Sequence, residues 1–245
     1  MFGEQMSAAL VLLGDGGGRH GTRVVSEVAA RAADALGVDG ISAGVGTGSQ
    51  GVVLVWGRDS LGAALEDVQF TLGQGPGLDA VADGVSVLVA DLEEQVARWP
   101  GFVPGALELK VRAVFAFPLR IGAISVGVLT AYRAAPGPMT GEQVADALTL
   151  ADAVTVLLLH RQQPRGYGAG IGRGGPQPGW EQPPTYRAEV HQATGMISVQ
   201  LDVSLAEALV RLRAHAYARD RPVAEIAAAV VGRRLRFEEP GRKQP

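Results

Sequence analysis

The sequence contains no cysteine. This absence excludes disulfide bonds, thiolate nucleophiles and cysteine-based zinc sites, and it favours a reducing compartment. The histidines are His20, His160, His191 and His215, and no two of them have the spacing of a metal-binding pair. We therefore predict no metal centre and no cofactor.

Long hydrophobic runs are also missing. The strongest apolar stretch near the N-terminus, Ala8–Leu13, is too short for a membrane span and lacks the basic flank of a signal peptide. Both observations favour a cytoplasmic protein without a membrane partner.

The common catalytic motifs do not occur either. There is no P-loop, no nucleophile elbow and no obvious pair of catalytic carboxylates. Gly46, Gly48 and Gly51 match the spacing of a dinucleotide fingerprint, but Val52–Trp56, which follows, has the pattern of a strand rather than a helix. We interpret the glycines as a hairpin turn and predict that the chain is not an enzyme.

Glycine and proline are abundant, and they concentrate in one place. Between Pro164 and Pro184, 12 of 21 residues are Gly or Pro. Such a segment buries too little apolar surface to offset its chain entropy, which predicts a flexible tether. We predict one domain over residues 1–163, a linker over 164–184 and a second domain over 185–245.

Charge follows the same division. The net charge is −3, yet residues 185–245 contain 10 Lys/Arg against 7 Asp/Glu. An acidic body followed by a basic domain is typical of a nucleic-acid output module, although a solvated helix face is the alternative explanation.

The first domain alternates helical and strand patterns. Its order predicts an α+β fold in which an antiparallel sheet is flanked by helices. The predicted elements are a helix Thr22–Leu36, strands Gly40–Val45, Gly51–Trp56, Ser86–Ala90, Arg112–Leu119 and Ile124–Arg133, and a long helix starting at a Thr140/Gln143 capping box.

The second domain shows three helical patterns. These are Arg187–Leu201, Ser204–Arg219 and Pro222–Arg236, and they predict an all-α three-helix bundle. Seven arginines cluster in and between the second and third patterns, where a planar guanidinium suits phosphate.

The motifs of this second domain closely resemble the ANTAR family of RNA-binding antitermination domains. They are the segment from His191 to Ile197, Ser204-x-x-Glu207-Ala208, Leu212-Arg213 and Val223-x-x-Ile226-Ala227. The resemblance implies a dimer that binds paired hairpins in nascent RNA and prevents a terminator from forming. It suggests Gln192 and Thr194 near loop bases, with Arg213, Arg233 and Arg234 on phosphates. Thr194 stands where members usually have lysine.

The first domain resembles a GAF domain. The matching segments are Leu72–Pro76, Val87–Leu92, Arg98–Phe102 and Phe117–Arg120. The resemblance implies a sensory or dimerisation domain, in which Gly75, Pro76, Asp91 and Trp99 would line a small-molecule pocket. Ordinary loop turns are the alternative explanation for the same residues.

Together, these resemblances imply a GAF–ANTAR transcription regulator that works in signal transduction. A homodimer is expected, because the long helix after Thr140 has apolar residues on more than one face. Two alternatives stay open: a DNA-binding regulator, and a protein–protein interaction module that has lost RNA binding.

Overall fold

A computed structural model describes Ser7 and residues 21–46, 52–56, 60–162, 185–219 and 221–238. The chain divides into two compact units, formed mainly by the described residues up to 162 and by those from 185 onward. The predicted linker, residues 164–184, lies outside the described residues, so the three domain boundaries stay predictions.

The first unit is an α+β domain with six helical segments and five strands among its described residues. They are α1 (Gly21–Leu36), β1 (Gly40–Gly46), β2 (Val52–Trp56), α2 (Ser60–Leu72), α3 (Pro76–Asp83), β3 (Val87–Val89), a 3-10 turn (Leu92–Gln95), α4 (Phe102–Glu108), β4 (Ala113–Ile121), β5 (Ile124–Arg133) and α5 (Gly141–Gln162).

The five strands form one antiparallel sheet in the order β2-β1-β5-β4-β3. Gly46 pairs with Val52, which confirms that a strand follows the glycine-rich segment; Gly48 and Gly51 themselves lie outside the described residues. At the centre of the sheet Gly127 approaches Gly44 so closely that a Cβ at position 127 would collide with the Gly44 carbonyl oxygen.

The sheet is covered on both faces, which explains why its central strands are apolar throughout. One face packs Phe115, Phe117 and Leu129 against α1 and α5. The other packs Val114 and Val128 against α2, α3 and α4. Alternating side chains of β4 and β5 therefore enter two different cores.

Two helices of this unit were not anticipated from the sequence. In α2 the buried positions are Gly62, Leu65, Glu66, Gln69 and Phe70, which have helical spacing. Two of these five are polar, so the amphipathic pattern is hidden in the sequence. The short helix α4 was hidden by its brief length and its internal Pro104.

The second unit is the predicted three-helix bundle. Its helices are α6 (Thr185–Leu201), α7 (Leu205–Tyr217) and α8 (Val223–Val231). Its fully buried side chains come from all three helices and include Val190, Ile197, Leu212, Ile226 and Val230. The fold class, an antiparallel sheet flanked by helices followed by an all-α bundle, is confirmed.

The third helix ends earlier than predicted, at Val231 rather than Arg236. Arg233 adopts a left-handed conformation with φ 56°, and the Arg234 N–H donates to the Ala229 carbonyl over 2.8 Å. The Arg233 N–H donates to the Val230 carbonyl, which completes a Schellman motif. Residues 232–238 therefore leave the helix axis and are free to fold back on the bundle.

Both predicted capping pairs lie at helix starts, but only the first forms a complete capping box. Thr140 and Gln143 exchange bonds in both directions, with 2.9 Å from the Thr140 N–H to Gln143 Oε1. Ser204 Oγ accepts from the Glu207 N–H, while the Glu207 carboxylate pairs with Arg211 instead of returning to Ser204.

Within the described part of the chain, no single helix is long and apolar enough to cross a membrane. One pair, Ala188–Leu201 with Leu205–Tyr217, reaches that length and composition together but is bent by 105°.

Candidate functional site

A basic pocket lies between the C-terminal half of α7 and the helix α8. It has a volume of about 300 Å³. The side chains that line it are His215, Arg219, Arg221, Glu225, Ile226, Ala229, Arg234 and Leu235.

Positive charge dominates this basic pocket. The Arg221 guanidinium donates twice to Glu225 Oε2, over 3.0 and 2.8 Å, so these two charges compensate each other. Arg219 and Arg234 are exposed, and no carboxylate pairs with either of them among the described residues. Among the described residues the pocket therefore offers two guanidinium groups that no carboxylate pairs with, and such groups are donors suited to phosphate.

His215 adds a neutral ring to the basic pocket. Burial lowers the pKa of His215, and the positive charge of Arg219 lowers it further. The imidazole is therefore uncharged at neutral pH. Its ring contacts Phe237, with 4.8 Å between the ring centroids and a tilt of 46°.

The segment after α8 closes one side of the pocket. The Phe237 N–H donates to Gln200 Oε1 over 2.9 Å, which ties this segment to the end of α6. Arg234 and Leu235 reach the pocket only because the chain turns back after Val231.

The structure separates the five predicted RNA-contacting residues. Gln192 is exposed on α6, and Arg233 and Arg234 are exposed after α8. Arg213 is partly buried, and burial lowers its pKa to about 10, so it stays protonated at neutral pH.

The assignment of Thr194 to an RNA-facing position is corrected by its burial. Its side chain is 1% exposed, and its hydroxyl donates to the Val190 carbonyl over 2.7 Å. Thr194 lies on the same buried face of α6 as Val190 and Ile197.

Sequence reasoning assigned no individual role to His215, Arg219 or Arg221. A partial signal exists, since the predicted helix Ser204–Arg219 places His215 and Arg219, four residues apart, on one face. Their meeting with Arg234 depends on the turn after α8, which has no periodic signal in the sequence.

In the first unit, the predicted ligand-pocket residues are largely occupied with structural contacts. Gly75 has φ 139° and lies against Gln69, whose Oε1 accepts from the Gly77 N–H over 2.8 Å. Pro76 is buried at the first turn of α3. Trp99 is 2% exposed, and its Nε1 donates to Asp79.

Asp91 lies apart from the other three predicted residues. It caps the 3-10 turn and forms an ion pair with Arg112 over 2.9 Å. Hydrogen bonds from Arg112 and from the Glu93 N–H lower the pKa of Asp91. Asp91 lines an open groove of about 480 Å³ along β3, whereas Gly75, Pro76 and Trp99 are packed elsewhere. The structure therefore does not bring the four predicted residues around that groove.

No group of three or more metal-ligating side chains occurs among the described residues. The first unit presents a surface groove along β3, whereas the basic pocket lies in the second unit.

The C-terminal unit matches a family model. Residues 184–231 match the model described as the ANTAR domain. The C-terminal unit is therefore similar to ANTAR domains over this stretch. The match ends at Val231, so the basic pocket combines residues of the ANTAR match with Arg234 and Leu235, which follow it.

The chain is also similar to several solved structures, all at low identity. One is the GAF domain of an Acinetobacter phosphoenolpyruvate-protein phosphotransferase, with 11% identity, a TM-score of 0.48, and coverage of 69% of this chain and 96% of that one. The corresponding GAF domain from Coxiella burnetii has 17% identity, a TM-score of 0.48, and coverage of 64% and 95%. A free methionine-R-sulfoxide reductase from Neisseria meningitidis has 19% identity, a TM-score of 0.45, and coverage of 64% and 87%. No curated protein sequence matches this chain.

Proposed function

We propose that this chain is a bacterial transcription regulator that binds RNA through its ANTAR domain and acts by antitermination in the cytoplasm. The observation that carries this proposal is the ANTAR match over residues 184–231 together with the arginines around the α7–α8 pocket. The role is regulatory rather than enzymatic.

The chemistry of the basic pocket favours RNA as the partner. Arginines hold phosphates by paired hydrogen bonds, and sequence-specific RNA recognition targets loops whose bases are unstacked. Exposed Gln192 is a candidate for base contacts, and Arg213, Arg233 and Arg234 are candidates for phosphates.

The first unit is proposed to be a GAF-type sensory or dimerisation domain. Its support is the set of sequence segments around Leu72–Pro76 and Phe117–Arg120, and a sheet enclosed by helices on both faces. A small-molecule ligand would bind this unit, and the whole chain would act as a homodimer.

The test of RNA binding uses the full chain. A library of paired RNA hairpins with randomised loops is passed over the immobilised protein, and the enriched RNA is then titrated across a salt series with duplex DNA as competitor. We expect salt-dependent binding that duplex DNA does not displace. Displacement by duplex DNA would favour a DNA-binding regulator, and no enrichment would favour a protein–protein module.

Charge reversal tests the predicted phosphate-binding arginines. Arg233→Glu with Arg234→Glu removes two cations, so it should weaken RNA binding and reduce the slope of log K against log salt by about 1 for each phosphate that is no longer neutralised. Arg31→Glu in α1 is the control, because Arg31 already pairs with Glu27 in the other unit. An unchanged slope of log K against log salt would show that neither arginine contacts an RNA phosphate.

A further inference from the structure

The basic pocket between α7 and α8 has an apolar floor as well as charge. Ile226 is 1% exposed, and Ala229 and Leu235 are partly buried. A flat patch of arginines can bind phosphates. A nucleobase also needs an apolar surface, against which it can bury its flat face. The volume of about 300 Å³ is at the lower end of the range for small-ligand pockets.

The charges in the pocket are arranged to leave two cations available. Glu225 compensates Arg221, while Arg219 and Arg234 have no acidic partner in the part of the chain that the structure describes. A group carrying one or two negative charges would complete this balance. Phosphate does so, and guanidinium donors match its oxygens.

His215 provides a polar atom that lacks a partner. Its Nε2 is shielded from solvent and forms no hydrogen bond with any described residue. Buried polar atoms in folded proteins are nearly always paired, either with protein groups or with ordered water. The His215 ring itself lines the pocket and adds a flat surface beside the apolar floor.

The segment after α8 contributes two side chains to this pocket. Arg234 and Leu235 follow Val231, where the ANTAR match ends. They are held in place by the Schellman motif at Arg233 and by the bond from the Phe237 N–H to Gln200.

We infer that the α7–α8 pocket holds one unstacked nucleotide of the bound RNA loop. The base lies against Ile226, Ala229 and Leu235, and its phosphate lies on Arg219 and Arg234. This inference rests on the proposed RNA-binding function and adds a base-binding position to it.

The decisive variant fills the pocket without changing its charge. In the full chain, Ala229→Met places a longer apolar side chain where the base would lie. With the RNA enriched from the hairpin library, we expect binding weakened by about tenfold or more, as for the removal of one stacked base, with an unchanged salt slope. Ala214→Met, on the exposed face of α7, is the matched control and should change binding by no more than roughly twofold.

A second pair of variants tests the charged side and does not depend on Ala229→Met folding. Arg219→Gln should weaken RNA binding and lower the salt slope by about 1. Arg211→Gln should do so much less, because Arg211 is already paired with Glu207. Equal effects of Arg219→Gln and Arg211→Gln would overturn the assignment of the phosphate to this pocket.

Other outcomes distinguish a failure of the base-binding inference from a failure of the proposed RNA-binding function. If Ala229→Met folds, as judged by circular dichroism, and binds RNA like the wild type, the pocket is not a base site even though the chain binds RNA. The same conclusion follows if free nucleoside monophosphates bind the wild type by calorimetry but not Ala229→Met, while RNA affinity is equal. A wild-type chain that enriches no RNA would overturn the proposed function itself.

Discussion

At the scale of single residues, Gln69 connects a helix of the first unit to the loop that follows it. It is 1% exposed, and its Nε2 donates to Glu66 Oε2 over 2.9 Å while its Oε1 accepts from the Gly77 N–H. Gln69→Leu removes one partner from the buried Glu66 carboxylate and one from the Gly77 N–H. We expect the free energy of unfolding to fall by about 1–3 kcal/mol, because the buried Gly77 N–H loses its side-chain acceptor.

Urea unfolding of the full chain, followed by tryptophan fluorescence, measures this change. The control is Gln74→Leu, which removes only the bond from the less buried Gly101 N–H to Gln74 Oε1 and should cost less. If both variants unfold at the same urea concentration, Gln69 does not hold the loop.

His215 gives a second prediction at this scale, because its ring faces charges from several elements. Arg219 follows the same helix, and Arg221, Glu225 and Arg234 line the same pocket. Burial and Arg219 both lower the pKa of His215, so NMR titration of its ring should give a value below the ordinary 6.5. Arg219→Gln should raise the pKa but leave it below 6.5, since burial is the larger cause.

The lowered pKa of His215 also fixes the sign of its effect on stability. The unfolded state binds a proton more readily, so the contribution of His215 is complete above pH 6.5 and is lost as the pH falls from 6.5 towards the folded pKa. A His215 pKa at or above 6.5 in the wild type would contradict the burial of the ring.

Thr194 and Gln69 illustrate what sequence reasoning misses at this scale. Both are polar residues on buried helix faces, and each satisfies its polar atoms locally. A polar side chain in a sequence suggests exposure, and its actual direction depends on which helix face meets the core. The family resemblance identified the helix correctly but not the side of the helix on which position 194 lies.

At the scale of elements, three helices end in the same unusual way. Lys110, Asp202 and Arg233 all have φ between 53° and 61°, the left-handed conformation that glycine adopts at low cost. After α4, the Val111 N–H donates to the Ala106 carbonyl over 3.0 Å, as a Schellman motif requires.

Lys110 is the best position for a test, because it is exposed and outside the proposed RNA site. Lys110→Gly should raise the free energy of unfolding by about 0.5–1 kcal/mol, since it relieves a left-handed conformation that costs about 1–2 kcal/mol in other residues. Lys110→Val should lower it, because branching at Cβ makes the same conformation worse. Thermal unfolding ranks the stabilities of the wild type and the two variants. If Lys110→Val were the most stable, the expected strain at position 110 would be contradicted.

The same motif explains which helix ends were predictable. Helix starts at Thr140 and Ser204 were identified by their capping residues, whose side chains contact the helix directly. α8 ends five residues before the predicted position, because Gly232 keeps a negative φ of −73° and the left-handed position belongs to Arg233. A glycine in the sequence marks the end of a helix only if it adopts the left-handed conformation itself, so this signal fails when another residue adopts that conformation.

At the scale of the whole molecule, the sequence separated a mixed domain from a helical one. Composition and periodicity were sufficient for that, because each unit has its own core. The composition of the basic pocket was not predictable, since its side chains come from α7, the turn before α8, α8 itself and the segment after it. Only the folded chain brings Arg219 and Arg234 to one cavity.

The proposed homodimer provides the last prediction. An exposed stripe on α5 contains Leu148, Val156 and Leu159, which are 45, 51 and 38% exposed. These residues are spaced to share one helix face that does not enter the sheet core. Contact between two copies along this face would remove the stripe from water, which is the expected driving force for association.

Val156→Lys places a charge in the middle of that stripe, so it should convert the dimer to a monomer in analytical ultracentrifugation of the full chain. Val85→Lys, at a residue 57% exposed beside β3, makes the same chemical change elsewhere and should leave the dimer intact. If each copy of the proposed dimer binds one hairpin, Val156→Lys should also weaken binding to paired hairpins far more than to a single hairpin. An equal weakening on both RNAs would mean that the two domains do not act as a pair.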